Sequence, residues 1–189
     1  MLNKLSYNIF NKRAQKFLKI SKRRVSFVNY DQAKTILLIF ESNFSEKNSE
    51  TKRIIESLVA DGKKVVAIGY VCKKNCLSAT YPEYRVLCKK DLTLFQKPNQ
   101  EILQHLLSCE YDLLIDITKN RFIPLEYIVL YANAKCKTGM QKDNLILYDF
   151  AVDIKHHLSE NEIPMEDLEF SFLYNQILFY LKNIQSKDY

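Results

Sequence analysis

The sequence predicts an α/β domain, a Rossmann-like three-layer fold with a mostly parallel sheet, plus a basic N-terminal helix and a long C-terminal helix. Three observations predict it. First, Thr35–Phe40 and Asp112–Ile117 are continuous apolar runs, the pattern of parallel strands buried on both faces. Second, Ile54, Ile55, Leu58 and Val59 repeat at helical spacing between Thr35–Phe40 and another strand-like run, Lys64–Tyr70. That strand–helix–strand unit calls for a right-handed crossover. Third, 189 residues with 47% hydrophobic and 26% charged side chains suit one globular domain. With 3 Gly and 4 Pro, a Gly-rich phosphate loop, a collagen-like chain and a Pro-rich linker are excluded.

Two units follow: a basic helix over 1–24 and one α/β domain over 25–189. At about 100° per residue, Leu2, Leu5, Ile9, Phe10, Phe17 and Ile20 share one broad face of the first helix. Lys4, Lys12, Lys19 and Lys22 lie opposite, and Arg13 and Arg24 intrude on the apolar side. After Thr35–Phe40, the loop Glu41–Glu46 leads into a helix, with Asn43 and Glu46 at capping-box spacing. Asp61-Gly62 ends that helix and Lys64–Tyr70 is the second strand. Residues 72–83 form an irregular connection to a short strand over Tyr84–Cys88. A helix over Glu101–Cys109 precedes the Asp112–Ile117 strand, and Thr118–Ile123 is the exit loop. Pro124 sits in the first turn of a helix reaching about Asn133. Lys135–Thr138 is a short strand ended by Gly139, and Leu145–Asp149 is one more strand. The last helix runs from Glu166 to Ile184, with Phe170, Leu173, Ile177, Leu181 and Ile184 on one face. Leu168, Phe172 and Phe179 crowd a second face, so this helix is either sandwiched in the fold or available to a protein partner or a second copy.

Charge separates the two units. The first 24 residues hold Lys4, Lys12, Arg13, Lys16, Lys19, Lys22, Arg23 and Arg24 and no acid, a segment charge of +8. The remainder has 20 basic residues against all 22 acids. The net charge of +6 therefore describes an arm on a near-neutral body, and the body offers no general case for nucleic-acid binding. Three readings of the arm stay open: a docked helix with a solvated cationic face, contact with the phosphates of RNA, DNA or anionic lipid, and a cleaved transit segment in a eukaryotic source. No stretch reaches the roughly 20 apolar residues of a membrane span, and Lys4, Lys12 and Arg13 interrupt any secretory-signal core. Five cysteines without such a signal point to reduced thiols in the cytoplasm.

Loops at the C-terminal ends of parallel strands are the ligand-binding places of α/β sheets. The first is the Glu41–Glu46 loop, where Asn43, Ser45 and a helix N-terminus offer donors but Glu41 and Glu46 repel phosphate. The second holds Asp116, Lys119, Asn120 and Arg121, with cations for a phosphate or carboxylate and an acid for a hydroxyl or a proton. Cys72 and Cys76 lack the second pair a zinc site needs, and their three-residue gap is unlike the two-residue redox motif. His156 and His157, near Asp149 and Asp153, lack a third ligand. There is no serine nucleophile elbow and no Cys–His arrangement, and no cofactor or metal is expected.

Three stretches, Phe27–Ile36, Asp61–Tyr70 and Tyr111–Ile117, resemble a family of small α/β proteins of Bacteroidota that has no assigned activity. The resemblance covers most of the chain and implies a bacterial, intracellular protein. Tyr111–Asp116, then a helix, then Ala134-Lys-Cys-Lys-Thr-Gly139 is similar to the N-terminal, acceptor-side half of the family 9 glycosyltransferases, the heptosyltransferases. That similarity implies a Rossmann-like fold without the donor-holding half. The leading expectation is a non-enzymatic binding or adaptor protein in the cytoplasm, peripheral to the inner membrane or bound to the ribosome, whose 1–24 helix contacts an anionic surface. The alternative is a nucleotide or sugar-phosphate binder or enzyme at the sheet's C-terminal edge.

Overall fold

A computed structural model describes residues 2–42, 49–74, 84–142, 147–154, 158–159 and 164–184. Six strands form one sheet: β1 (Thr35–Glu41), β2 (Lys64–Tyr70), β3 (Tyr84–Leu87), β4 (Tyr111–Asp116), β5 (Ala134–Met140) and β6 (Phe150–Val152). All pairs are parallel, in the order β3-β2-β1-β4-β5-β6. This is the Rossmann order, and its two halves diverge between β1 and β4. The helices are α1 (Leu2–Ile20), α2 (Ser49–Ala60), α3 (Gln100–Ser108), α4 (Ile123–Tyr131) and α5 (Phe170–Asn183).

The period of two along β1 builds both cores. Leu37 and Ile39 face a cluster shared with α1, α3 and α4. Ile36, Leu38 and Phe40 face the opposite cluster, with Ile54, Ile55 and Leu58 of α2 and Leu173, Ile177 and Leu181 of α5. A strand buried on both faces needs no polar alternation, which is why β1 reads as an unbroken apolar run. The same holds for α4. Eight of its nine residues are buried, because α4 lies between the sheet and α1. Gly62 has φ 77°, so the left-handed turn that ends α2 falls on a residue without Cβ, as expected.

Several expected boundaries move. The last strand is Phe150–Val152, and in the described part of the 145–149 run Leu147 and Tyr148 are buried and exposed Asp149 leads into it. β5 passes through Gly139 to Met140, since Gly139 pairs with Asp116 and a Cβ there would lie 2.7 Å from the Tyr148 ring. Glycine here serves close approach rather than strand termination. α5 begins at Phe170, after a separate 3₁₀ turn over Met165–Asp167. Asn43 and Glu46, the expected capping box, lie outside the described residues.

The N-terminal edge of the sheet is braced by carboxylates. Asp112 accepts the backbone N–H of Lys34 at 2.8 Å and Thr35 at 2.9 Å, and the Lys135 ammonium at 2.7 Å. Burial pushes its pKa up, but these donors win and hold it well below the usual carboxylate range. Arg23, on the strap after α1, makes a two-pronged pair with Asp149 at 2.5 and 2.8 Å and donates to the Ala134 carbonyl at 2.8 Å.

Candidate functional site

The C-terminal edge brings the expected acid and loop together, and then closes them. At the end of β1, buried Glu41 accepts the Lys119 backbone N–H at 2.7 Å and the Asn120 amide at 3.3 Å. The β4–α4 loop is thereby pulled over the divergence of the two half-sheets. Lys119 Nζ donates to the Leu168 carbonyl at 2.9 Å and sits 5.0 Å from the Phe170 ring centre. Arg121 forms a bidentate pair with Glu126 at 2.6 and 3.1 Å and stacks 4.8 Å over Tyr7 of α1. Both cations expected to hold an anion are thus engaged by the protein itself. Asn43 and Ser45 lie outside the described residues.

Asp116 is 2% exposed and anchors a second cluster. One carboxylate oxygen accepts the Thr118 N–H at 2.8 Å and its hydroxyl at 2.6 Å. The other accepts the Tyr148 hydroxyl at 2.5 Å and the Lys142 ammonium at 3.0 Å. Lys142 also donates to Thr118 Oγ1 and reaches the Tyr148 oxygen at 3.5 Å. Burial, and then the Asp116 charge, push the Tyr148 phenol well above its ordinary pKa, so it stays a donor. Each ammonium proton and each carboxylate oxygen has a partner inside the cluster. A buried network satisfied in this way locks β4, β5 and their exit loops together.

α1 contrasts with this edge. It docks on α4 through Phe10 and Ala14, both 0% exposed, with Tyr7 and Phe17 partly buried. Phe10 meets Tyr127 edge-on at 4.8 Å, and Phe17 meets Tyr131 at 4.6 Å. All three α1 aromatics therefore face the body. The expected apolar face is split. Leu5 is 50% and Ile20 67% exposed, beside exposed Lys12, Arg13, Lys16 and Lys19. Lys4, Lys12, Lys16, Lys19, Lys22 and Arg24 are exposed and make no hydrogen bond or ion pair among the described residues. Arg13 reaches the Tyr127 hydroxyl at 3.5 Å. Arg23 differs, being committed to Asp149.

Over residues 7–184 the chain matches a family of unknown function, DUF6913. The chain belongs to that family. No curated protein and no solved structure matches it. Of the two resemblances, the match agrees with the one to a family without assigned activity and adds nothing to the glycosyltransferase likeness.

Among the described residues of this DUF6913 protein, two grooves stand out. One groove of about 330 Å³ lies among the C-terminal ends of α1, α3 and α4, lined in part by Phe17, Leu107 and Tyr131. Another of about 370 Å³ runs between α2 and α5, past Arg53, Ser57 and Asn175. Among the described residues no three His, Cys, Asp or Glu side chains gather to hold a metal, and no helix is long and apolar enough to cross a membrane. Cys72 is exposed, Asp153 is exposed, and Cys76, His156 and His157 lie outside the described residues. On α5, Phe179 is 59% and Tyr180 39% exposed, while Leu173, Ile177 and Leu181 are fully buried, so core packing takes most of that helix. Sequence reasoning missed Glu126, Lys142 and Tyr148. Glu126 carried one signal, a lone acid in an otherwise apolar helix that needs a buried partner. Lys142 and Tyr148 carried none.

Proposed function

We propose that this DUF6913 protein is a non-catalytic peripheral binding protein that rests on an anionic lipid surface, on the cytoplasmic leaflet, through the outward side of α1. One observation carries the reading: exposed aliphatic side chains, Leu5 and Ile20, stand on a single helix among exposed Lys12, Lys16 and Lys19, which have no partner among the described residues. A bilayer interface takes both, the chains entering the acyl boundary and the ammonium groups meeting phosphates. An RNA surface has use for the lysines but none for the aliphatics. Stacking on bases needs aromatics, and Tyr7, Phe10 and Phe17 face the body.

The test is flotation of the full chain with phosphatidylglycerol-containing vesicles, with phosphatidylcholine vesicles and with ribosomes, at low and high salt. Binding to the anionic vesicles alone, weakened by salt and by Lys12, Lys16, Lys19 and Lys22 to Gln, is expected. Salt-sensitive binding to ribosomes without vesicle binding would transfer the helix to RNA. Binding to neither by folded protein would end the adaptor reading.

A further inference from the structure

On the basis of that reading, we propose that α1 is a reversible cover that lifts from α4 on an anionic bilayer, so that its lipid-facing surface is its whole apolar face and not only the part exposed in the docked state. The helix has two faces that do not coincide. Leu2, Leu5, Ile9, Phe10, Phe17 and Ile20 centre on one direction, while the docked side chains Ser6, Tyr7, Phe10, Ala14 and Phe17 centre roughly 80° away at 100° per residue. Docking therefore uses Tyr7, Phe10 and Phe17, leaves Leu5 and Ile20 in solvent, and fills its seam with a serine and an alanine.

The seam is also polar where it should not be. Ser6 is 0% exposed and its hydroxyl has no hydrogen-bond partner among the described residues. Such a group leaves water without compensation, which weakens the docked state relative to any state that rehydrates it. Lifting α1 frees that hydroxyl. In an interfacial position Phe10 and Phe17 exchange contact with Tyr127 and Tyr131 for acyl chains, and Leu5 and Ile20 gain burial they lack when docked. Arg13 and Lys16, within the apolar sector, extend along their stems to the phosphates. A pivot exists in the strap. Residues 21–29 have no regular structure, and Arg23 is pinned to Asp149 and the Ala134 carbonyl. α1 thus swings about a fixed root without releasing β5.

Hydrogen exchange of the full chain, free and on phosphatidylglycerol vesicles, tests the cover. Amides of α4, Ile123–Tyr131, are expected to exchange at least severalfold faster on vesicles, because α1 no longer shields them. Unchanged α4 exchange in protein that floats with the vesicles overturns the proposal and leaves α1 binding from its docked position. Ser6→Ala supplies the second readout. Removing the buried hydroxyl strengthens docking, so vesicle affinity is expected to fall roughly fivefold, whereas rigid docking predicts parental affinity. A parent chain that does not float at all overturns the lipid reading itself, a result distinct from flotation without uncovering.

Discussion

Charge is treated in opposite ways at the sheet's C-terminal edge and on α1. At the edge, Lys119, Arg121 and Lys142 meet Leu168, Glu126 and Asp116, and Glu41 closes the loop over them. On α1 and the strap after it, six cations stand exposed without a partner among the described residues, with Leu5 and Ile20 on the same helix as four of them. The lesson is that location in a fold does not assign function. The edge is where sheets of this order hold ligands, yet here its groups have consumed one another. The helix lies on an outer layer, yet its lysines are the groups that stand unengaged among the described residues.

The sharpest way to break the comparison is to remove one member at the edge. Asp116→Ala leaves the Lys142 ammonium buried at 7% exposure with no carboxylate, and a loss of about 3–5 kcal/mol in denaturant unfolding is expected, with vesicle binding of the folded fraction unchanged. The mirror experiment is the Lys12, Lys16, Lys19 and Lys22 to Gln variant. At about 1 kcal/mol per surface cation, vesicle affinity should fall a hundredfold or more, while stability stays within about 0.5 kcal/mol. Arg23 tests whether position in sequence or partnership decides. It belongs to the +8 segment but behaves as an edge residue, so Arg23→Ala should cost about 1.5–3 kcal/mol of stability and leave a larger share of vesicle binding than the lysine variant does.

The smallest effect concerns pH. Lys137 is 4% exposed and donates to the carbonyls of Val129 and Leu130 at the end of α4, at 2.6 and 3.1 Å. Burial, followed by the nearby Arg23 charge, lowers its pKa to about 7 against an attracting Asp149. Above that value the folded protein holds a neutral amine while the unfolded chain, near 10.5, still binds a proton. Unfolding then takes up a proton, so this residue's contribution to stability rises with pH from about 7 towards 9. Chemical denaturation across that range should show a shallower rise in Lys137→Met than in the parent.

Much of the fold was legible because its strands are local and strongly patterned. Thr35–Glu41 is apolar on both faces, so no other element accommodates it, and Gly62 marks the end of α2 by its left-handed backbone. What failed to read was whatever depends on a neighbour distant in sequence. Gly139 looked like a strand end, but it is small because Tyr148 lies against it. Glu166 looked like the start of the last helix, but it lies in a 3₁₀ turn over Met165–Asp167, and a break at Leu168 turns its carbonyl toward Lys119.

By itself the sequence determined the strand–helix alternation, the segregation of charge into residues 1–24 and the amphipathic pattern of that helix, since each depends on residues close in the chain. The tertiary structure alone decided which side of α1 meets the body. A helix docks where shape and volume fit α4, and the best-fitting seam runs through Ser6, Phe10 and Ala14 rather than through the most apolar line. It decided likewise that Lys119 and Arg121 are spent within the protein, because Leu168 and Glu126 approach them only when the β4–α4 loop folds onto Glu41. A local pattern states what a side chain can do, and the groups within about 3 Å of it in the folded chain state what it has already done.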